Sequence, residues 1–195
     1  MNSCLDLWRR FTGDGVYPHE LAFLLDNPLR SLILPAGRLA DRLELLPDSQ
    51  VLEIGPGPGY FSKAVAARIP DGQLTLFDIQ REMLLKTRRK LERNGCGNYW
   101  LVQGNGAALP FPAGVFDVVF MVTVLGEVGD PEVCMAGAVS VLRPGGLLSV
   151  TEQAGDPDAM TQAELERMGA AAGLACAEVI GFRGGFTLNL RKGCG

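Results

Sequence analysis

The strongest constraint on the chain is Glu53-Ile54-Gly55-Pro56-Gly57-Pro58-Gly59-Tyr60, three glycines at alternate positions. They lie between a short apolar run, Val51 to Ile54, and a segment of helical apolar spacing, Phe61 to Ile69. A strand would thus run through a glycine loop into a helix. Glycine lets such a loop turn tightly and lets a ligand approach the backbone with no side chain in between. The spacing is G-x-G-x-G, which differs from the G-x-G-x-x-G of dinucleotide binding. Taken alone, the loop reads equally well as a tight turn.

The flanking pattern points to an alternating fold. Leu74 to Phe77, Tyr99 to Val102, Phe116 to Thr123 and Leu147 to Val150 read as strands. Between them, Arg81 to Arg93 and Pro131 to Leu142 have helical character, and Asn94-Gly95 and Pro144-Gly145-Gly146 are stop signals. Phe116 to Thr123 is apolar almost throughout, as in a parallel strand covered on both faces. Thr161-x-x-Glu164 reads as a capping box. Two consecutive strands close the chain, Ala175 to Gly181 and Phe186 to Arg191, and their short Gly184-Gly185 link requires antiparallel pairing. The expectation is an α/β fold, a doubly wound, mostly parallel, seven-stranded Rossmann-like sheet ending in an antiparallel hairpin. A helical N-terminal cap, residues 1–46, would precede a core at 47–152 and a C-terminal helix and strands at 153–195. All belong to one domain, since 195 residues leave room for no more. Ligands of such sheets sit at the carboxyl ends of the strands.

Composition excludes several classes. The net charge is −4, from 18 basic and 22 acidic residues, which argues against a general nucleic-acid binder. No apolar run approaches the ~20 residues of a membrane span. The start, Met1 to Trp8, lacks the pattern of a signal peptide. Five scattered cysteines and one histidine make a metal site improbable and fit a reduced, cytoplasmic protein.

A second feature sharpens the glycine loop. Asp78 ends the strand Leu74 to Phe77, where a carboxylate can accept both hydroxyls of an adenosine ribose. By itself such an Asp also reads as the N-cap of the helix at Arg81. Together with the loop, the ribose role is favoured.

With these residues in place, the chain resembles the class I S-adenosylmethionine-dependent methyltransferases, in particular their type 11 group. The matching segments are VLEIGPGPGYFS (51–62), LFDIQREML (76–84), GNGAALPF (104–111), FDVVFMVTVL (116–125) and VLRPGGLLSVTE (141–152), in family order. GFRGGFTLNLRK (181–192) resembles the family's final strands. The resemblance implies S-adenosyl-L-methionine as cofactor. Gly55, Pro56, Gly57 and Gly59 would form the floor beneath it, with Glu53 ordering the loop or reaching the amino group through water. Asp78 would hold the ribose, Ile79 would pack on the adenine, and Met83 would border the pocket or simply fill the core. Asn105 stands where relatives carry Asp, and would accept from the adenine amine. Gly106 and Ala107 would offer backbone amides to the ring, and Met121 and Val122 would border the methionine moiety through backbone groups.

Methyl transfer demands alignment more than acid–base side chains. Three residues are candidates for the acceptor side. Glu127 stands where many relatives carry a His pair, and reads equally as a solvated loop acid. Tyr17 and His19 belong to the expected cap, and a lone His is more often structural. The chain has no N/D-P-P-Y/F segment after its fourth strand, no Pro-Cys, and no cysteine within a cofactor motif. The resemblance therefore implies a small or medium-sized acceptor rather than a nucleic acid, a cytosine ring or arsenite. A non-catalytic S-adenosylmethionine-binding module on the same fold is the alternative.

Overall fold

The computed structural model describes residues 34–194. The parallel strands form because their residues are apolar on both faces, so only a two-sided helical cover keeps them dry. They are β1 (Gln50–Ile54), β2 (Gln73–Asp78), β3 (Tyr99–Gln103), β4 (Phe116–Val122) and β5 (Leu142–Gln153). The closing hairpin is β6 (Leu174–Phe182) and β7 (Gly185–Lys192). The helices are α1 (Ala36–Arg42), α2 (Ser62–Ala66), α3 (Arg81–Arg93), α4 (Pro131–Val141) and α5 (Gln162–Ala171), with a 3-10 turn at Leu125–Glu127.

The sheet order is β3-β2-β1-β4-β5-β7-β6. β1 pairs in parallel with both β2 and β4, and β7 pairs antiparallel with β5 and β6. This is the mostly parallel, doubly wound sheet with a terminal hairpin that the sequence led us to expect. The chain runs outward from β1 to β3, then returns to β4 on the other side of β1. That reversal opens a crevice at the carboxyl ends of β1 and β4.

Each sheet face carries its own core. Leu52, Ile54, Val119, Met121, Leu148 and Val150 pack beneath Met135 and Ala138 of α4 and Leu165 and Met168 of α5. On the other face Val51, Leu74, Leu76, Val118 and Phe120 pack beneath Leu39 and Leu43, Val65 of α2, and Leu84 and Leu91 of α3.

Two boundaries differ from the sequence reading. The turn expected at Pro144-Gly145-Gly146 lies inside β5, which begins at Leu142. Phe116 faces Leu142 but Val118 faces Leu147, so the extra residues bulge out of the ladder without ending it. The helical character expected up to residue 46 stops at Arg42, the last residue of α1. Of the expected N-terminal cap, residues 1–33, including Tyr17 and His19, lie outside the described residues.

The capping box of α5 is formed. Glu164 N donates to Thr161 Oγ1 (3.3 Å), and Thr161 N donates to Glu164 Oε2 (2.8 Å). Replacing Thr161 by Ala is expected to cost about 1 kcal/mol. Urea denaturation should show a lower midpoint with an unchanged slope, and an unchanged midpoint would mean the box adds nothing to stability.

Candidate functional site

The glycine loop turns through the left-handed region at every alternate position. Gly55, Gly57 and Gly59 have φ of 68°, 53° and 77°, angles that a side chain tolerates poorly. The first and last glycines meet further demands. A Cβ at Gly55 would collide with the Val124 side chain, and one at Gly59 would lie 2.7 Å from Thr87 Cγ2. Thr87 of α3 also donates its hydroxyl to the Gly57 carbonyl (2.7 Å). The third glycine therefore seats the loop against a helix, while the first two face a cavity.

That cavity opens at the carboxyl ends of β1, β2 and β4. Eleven of the residues expected at the site line it: Glu53, Gly55, Pro56, Gly57, Asp78, Ile79, Met83, Asn105, Gly106, Val122 and Glu127. Three others do not. Gly59 stands behind the loop against Thr87, Ala107 is exposed, and Met121 is fully buried in the core.

Two acids sit in this crevice. Glu53 is 3% exposed, and its Oε2 has no hydrogen-bond partner. Burial pushes its carboxyl up to about 8, with nearby Ser62 working the other way and the Asp78 carboxyl adding to the rise. Asp78 is buried at the last position of β2. Burial pushes it up to about 6, against the amides of Gln80 and Gly57, which donate to it. The Gln80 bond is 2.8 Å, to Oδ1. Gln80, not Asp78, is the N-cap residue of α3, so the helix-cap reading of Asp78 does not apply.

The far side of the cavity is built from strand ends. Ile79 leaves 45% of its surface exposed at the cavity, a large apolar surface unusual for its position after a buried strand. Gly104 donates its N–H to the Asp78 carbonyl (3.1 Å). A Cβ there would sit 2.6 Å from the Phe77 ring. Asn105 Oδ1 accepts from the Ala107 amide (3.0 Å), so one of its two acceptor positions already holds the local turn.

The remaining lining residues were not singled out in the sequence. Tyr60, Phe61, Phe77 and Gly104 flank motif positions and could have been found by their adjacency. Thr123 carried no signal: it is β-branched yet has φ of 51°, a strained conformation for such a residue. Tyr60 donates its hydroxyl to the Leu34 carbonyl (3.4 Å), tying the first described residue to the cavity wall.

Comparison with known proteins agrees with this geometry. Residues 51–146 match the family described as a methyltransferase domain. Among curated proteins, the ubiquinone/menaquinone biosynthesis C-methyltransferase UbiE of Shewanella halifaxensis is 40% identical over 108 residues, covering 54% of this chain and 43% of that protein. The Vibrio campbellii protein of the same name is 38% identical over 108 residues, covering 54% and 42%. The chain thus spans less than half the length of these curated relatives. Among solved structures, an S-adenosylmethionine-dependent methyltransferase from Aquifex aeolicus superposes with a TM-score of 0.84 at 18% identity, over 90% of this chain and 99% of that one. The [4+2]-cyclase SpnF superposes with a TM-score of 0.74 at 19% identity, over 83% and 82%. At such identities the likeness shows the fold.

The raised carboxyl of Glu53 has a consequence for stability. The folded state keeps a proton that the unfolded chain releases above its ordinary value of about 4.5. Stability supplied by that proton is therefore full below about 4.5 and is lost as pH rises towards about 8. Glu53→Gln cannot titrate and should show a smaller fall in melting temperature across that window. Parallel curves for wild type and variant would mean that Glu53 titrates normally.

Proposed function

We propose that this chain, whose residues 51–146 match a methyltransferase domain, acts as a class I S-adenosylmethionine-dependent methyltransferase and transfers a methyl group to a small or medium-sized acceptor. The observation that carries this reading is the cavity itself. Left-handed glycines, a buried acid with an unpartnered oxygen and a strand-terminal Asp meet at the switch point of the sheet. These features suit the cofactor. The glycine loop bares backbone, Ile79 offers an apolar face for a flat ring, and Glu53 offers an acceptor to an amino group.

When bound, S-adenosylmethionine supplies an electrophilic methyl group on a sulfonium. This chain's residues hold and orient. Gly55, Pro56 and Gly57 would cradle the methionine part and the ribose, with Val122 bordering the methionine part. Asp78 would accept the ribose hydroxyls, while Ile79 and Met83 pack around the adenine. Asn105 would use its free acceptor position on the adenine amine, and Gly106 would offer its backbone. Holding both partners in line, away from water, accounts for much of such a reaction's acceleration.

Residues 1–195 would act as one domain, and Tyr17 and His19 would be candidates to bind the acceptor. The named activity of the curated relatives, C-methylation, makes carbon one acceptor atom to test.

Two measurements check this reading. Calorimetric titration should show saturable binding of S-adenosylhomocysteine and none of NAD, and binding of NAD alone would overturn it. Purified protein incubated with radiolabelled cofactor and cell extract should then label a small product. Asp78→Ala should weaken cofactor binding about 10- to 100-fold, the equivalent of roughly 1.5–3 kcal/mol for hydrogen bonds to a charged group. An unchanged dissociation constant would remove Asp78 from the ribose site.

A further inference from the structure

Behind the cavity rim lies a carboxyl that cofactor binding does not use. Glu152 is the next-to-last residue of β5, on the same face as Leu148 and Val150, and only 2% exposed. The Met160 amide donates to it. Its Oε1 is buried without a hydrogen-bond partner. Among the described residues, the charges that act on it are those of Asp156, from the loop after β5, and Glu127, from the 3-10 turn, and Phe186 lies opposite it on β7. Burial first, then Asp156 and Glu127, push its carboxyl up to about 8. A buried acid between two others is costly unless it keeps its proton.

The backbone brings Glu127 to this place. Thr123 donates its amide to the Thr151 carbonyl (2.8 Å), then turns through φ of 51°. That turn folds Leu125–Glu127 over the end of β5, with Gly126 so close to the Asp158 carbonyl that no Cβ would fit. Glu127 lines the cavity, and its charge acts on the buried Glu152. No lysine, arginine or histidine lines the cavity among the described residues, whose acids there are Glu53, Asp78 and Glu127. Such a lining offers no cation to a carboxylate or thiolate acceptor.

We propose that Glu127 and Glu152 act as a coupled carboxyl pair on the acceptor side, Glu127 taking the proton of a neutral acceptor and Glu152 positioned behind it to keep the charge on Glu127. The acceptor class is one with an N–H, an O–H or an acidic C–H at the methylated atom. That atom gains a bond to the methyl carbon and loses its bond to hydrogen. The proton passes to the Glu127 carboxylate and onward to solvent at the rim, and the sulfur keeps the electrons of the bond it gives up. Glu152 is a positioning residue that never touches the acceptor. The assignment of an acceptor rests on the methyltransferase reading, whereas the pairing of the two carboxyls does not.

The pairing is read in the full-length protein without cofactor, by carbon NMR of side-chain-labelled glutamate across a pH titration. The resonance lost in Glu152→Gln should titrate near 8 in the wild type and move downward in Glu127→Gln, because a like charge is gone. A Glu152 that titrates in the ordinary carboxylate range, or that ignores Glu127→Gln, overturns the pair. The acceptor role is read with sinefungin, which carries an amine-bearing carbon in place of the methylated sulfur. Wild type should prefer it over S-adenosylhomocysteine, and Glu127→Gln should lose about tenfold of that preference, one charge-assisted hydrogen bond. Glu152→Leu should also lower it, and Glu152→Gln, which mimics a protonated carboxyl, should restore it. A preference that survives Glu127→Gln, or that Glu152→Gln abolishes as fully as Glu152→Leu, overturns the assignment of roles. Failure of S-adenosylhomocysteine to bind wild type would instead overturn the methyltransferase reading and leave the titration result standing.

Discussion

A parallel sheet covered on both faces has only its strand ends to offer a ligand, and the rest of this structure depends on that constraint. β1, β2, β4 and β5 give up both faces to two separate cores. The chain reverses between β1 and β4, so the carboxyl ends of those strands diverge into a crevice. Three acids, Glu53, Asp78 and Glu152, stand at or next to the last position of β1, β2 and β5. Each is buried, and for each burial is the first cause of a raised carboxyl. The fold thus places carboxyls where solvent is thin and a ligand's donors are the natural compensation.

The exits from the strands divide the work. β1 leaves through glycines, whose left-handed angles carry little strain. β4 leaves through Thr123, which reaches a similar angle with a β-branched side chain. Strain of this kind persists only where surrounding bonds over-determine it. Here the Thr123–Thr151 hydrogen bond and the close seat of Gly126 on Asp158 hold it. The two exits meet, since the missing side chain of Gly55 leaves room for Val124. A larger residue in the first would displace the second, so the glycine loop and the exit from β4 are one packed unit.

This division also explains what could be read from the residues alone. The sheet was legible because periods of two and 3.6 and runs such as Phe116 to Val122 follow directly from burial. The glycine loop was legible because few other residues take its angles, and Asp78 because it ends an apolar strand. Gly59 was read as ligand floor when its space is filled by Thr87, since φ and packing demand the same residue. Met121 was read as a border residue through its backbone, and the alternation along β4 turns its side chain into the core. Thr123 and Glu152 had no signature. A strained threonine looks like any strand-forming residue, and a buried acid at a strand end looks like any acid before a loop.

The legible half of the crevice is built from backbone geometry, and the other half from side chains and strain. The matched domain, 51–146, contains the glycine loop, Asp78 and Asn105 but stops before Glu152. The same fold also superposes on a protein named as a cyclase, so the sheet and its cofactor crevice do not by themselves choose a reaction. The choice then falls to the side chains around the crevice, among them those at the exit from β4 and the end of β5. In this chain that region holds Glu127, Glu152 and Asp156 together, and the charges acting on Glu152 are acidic. A reaction that sheds a proton is the chemistry such a cluster can serve. An acceptor that arrives as an anion would find no lysine, arginine or histidine in the described lining to pair with.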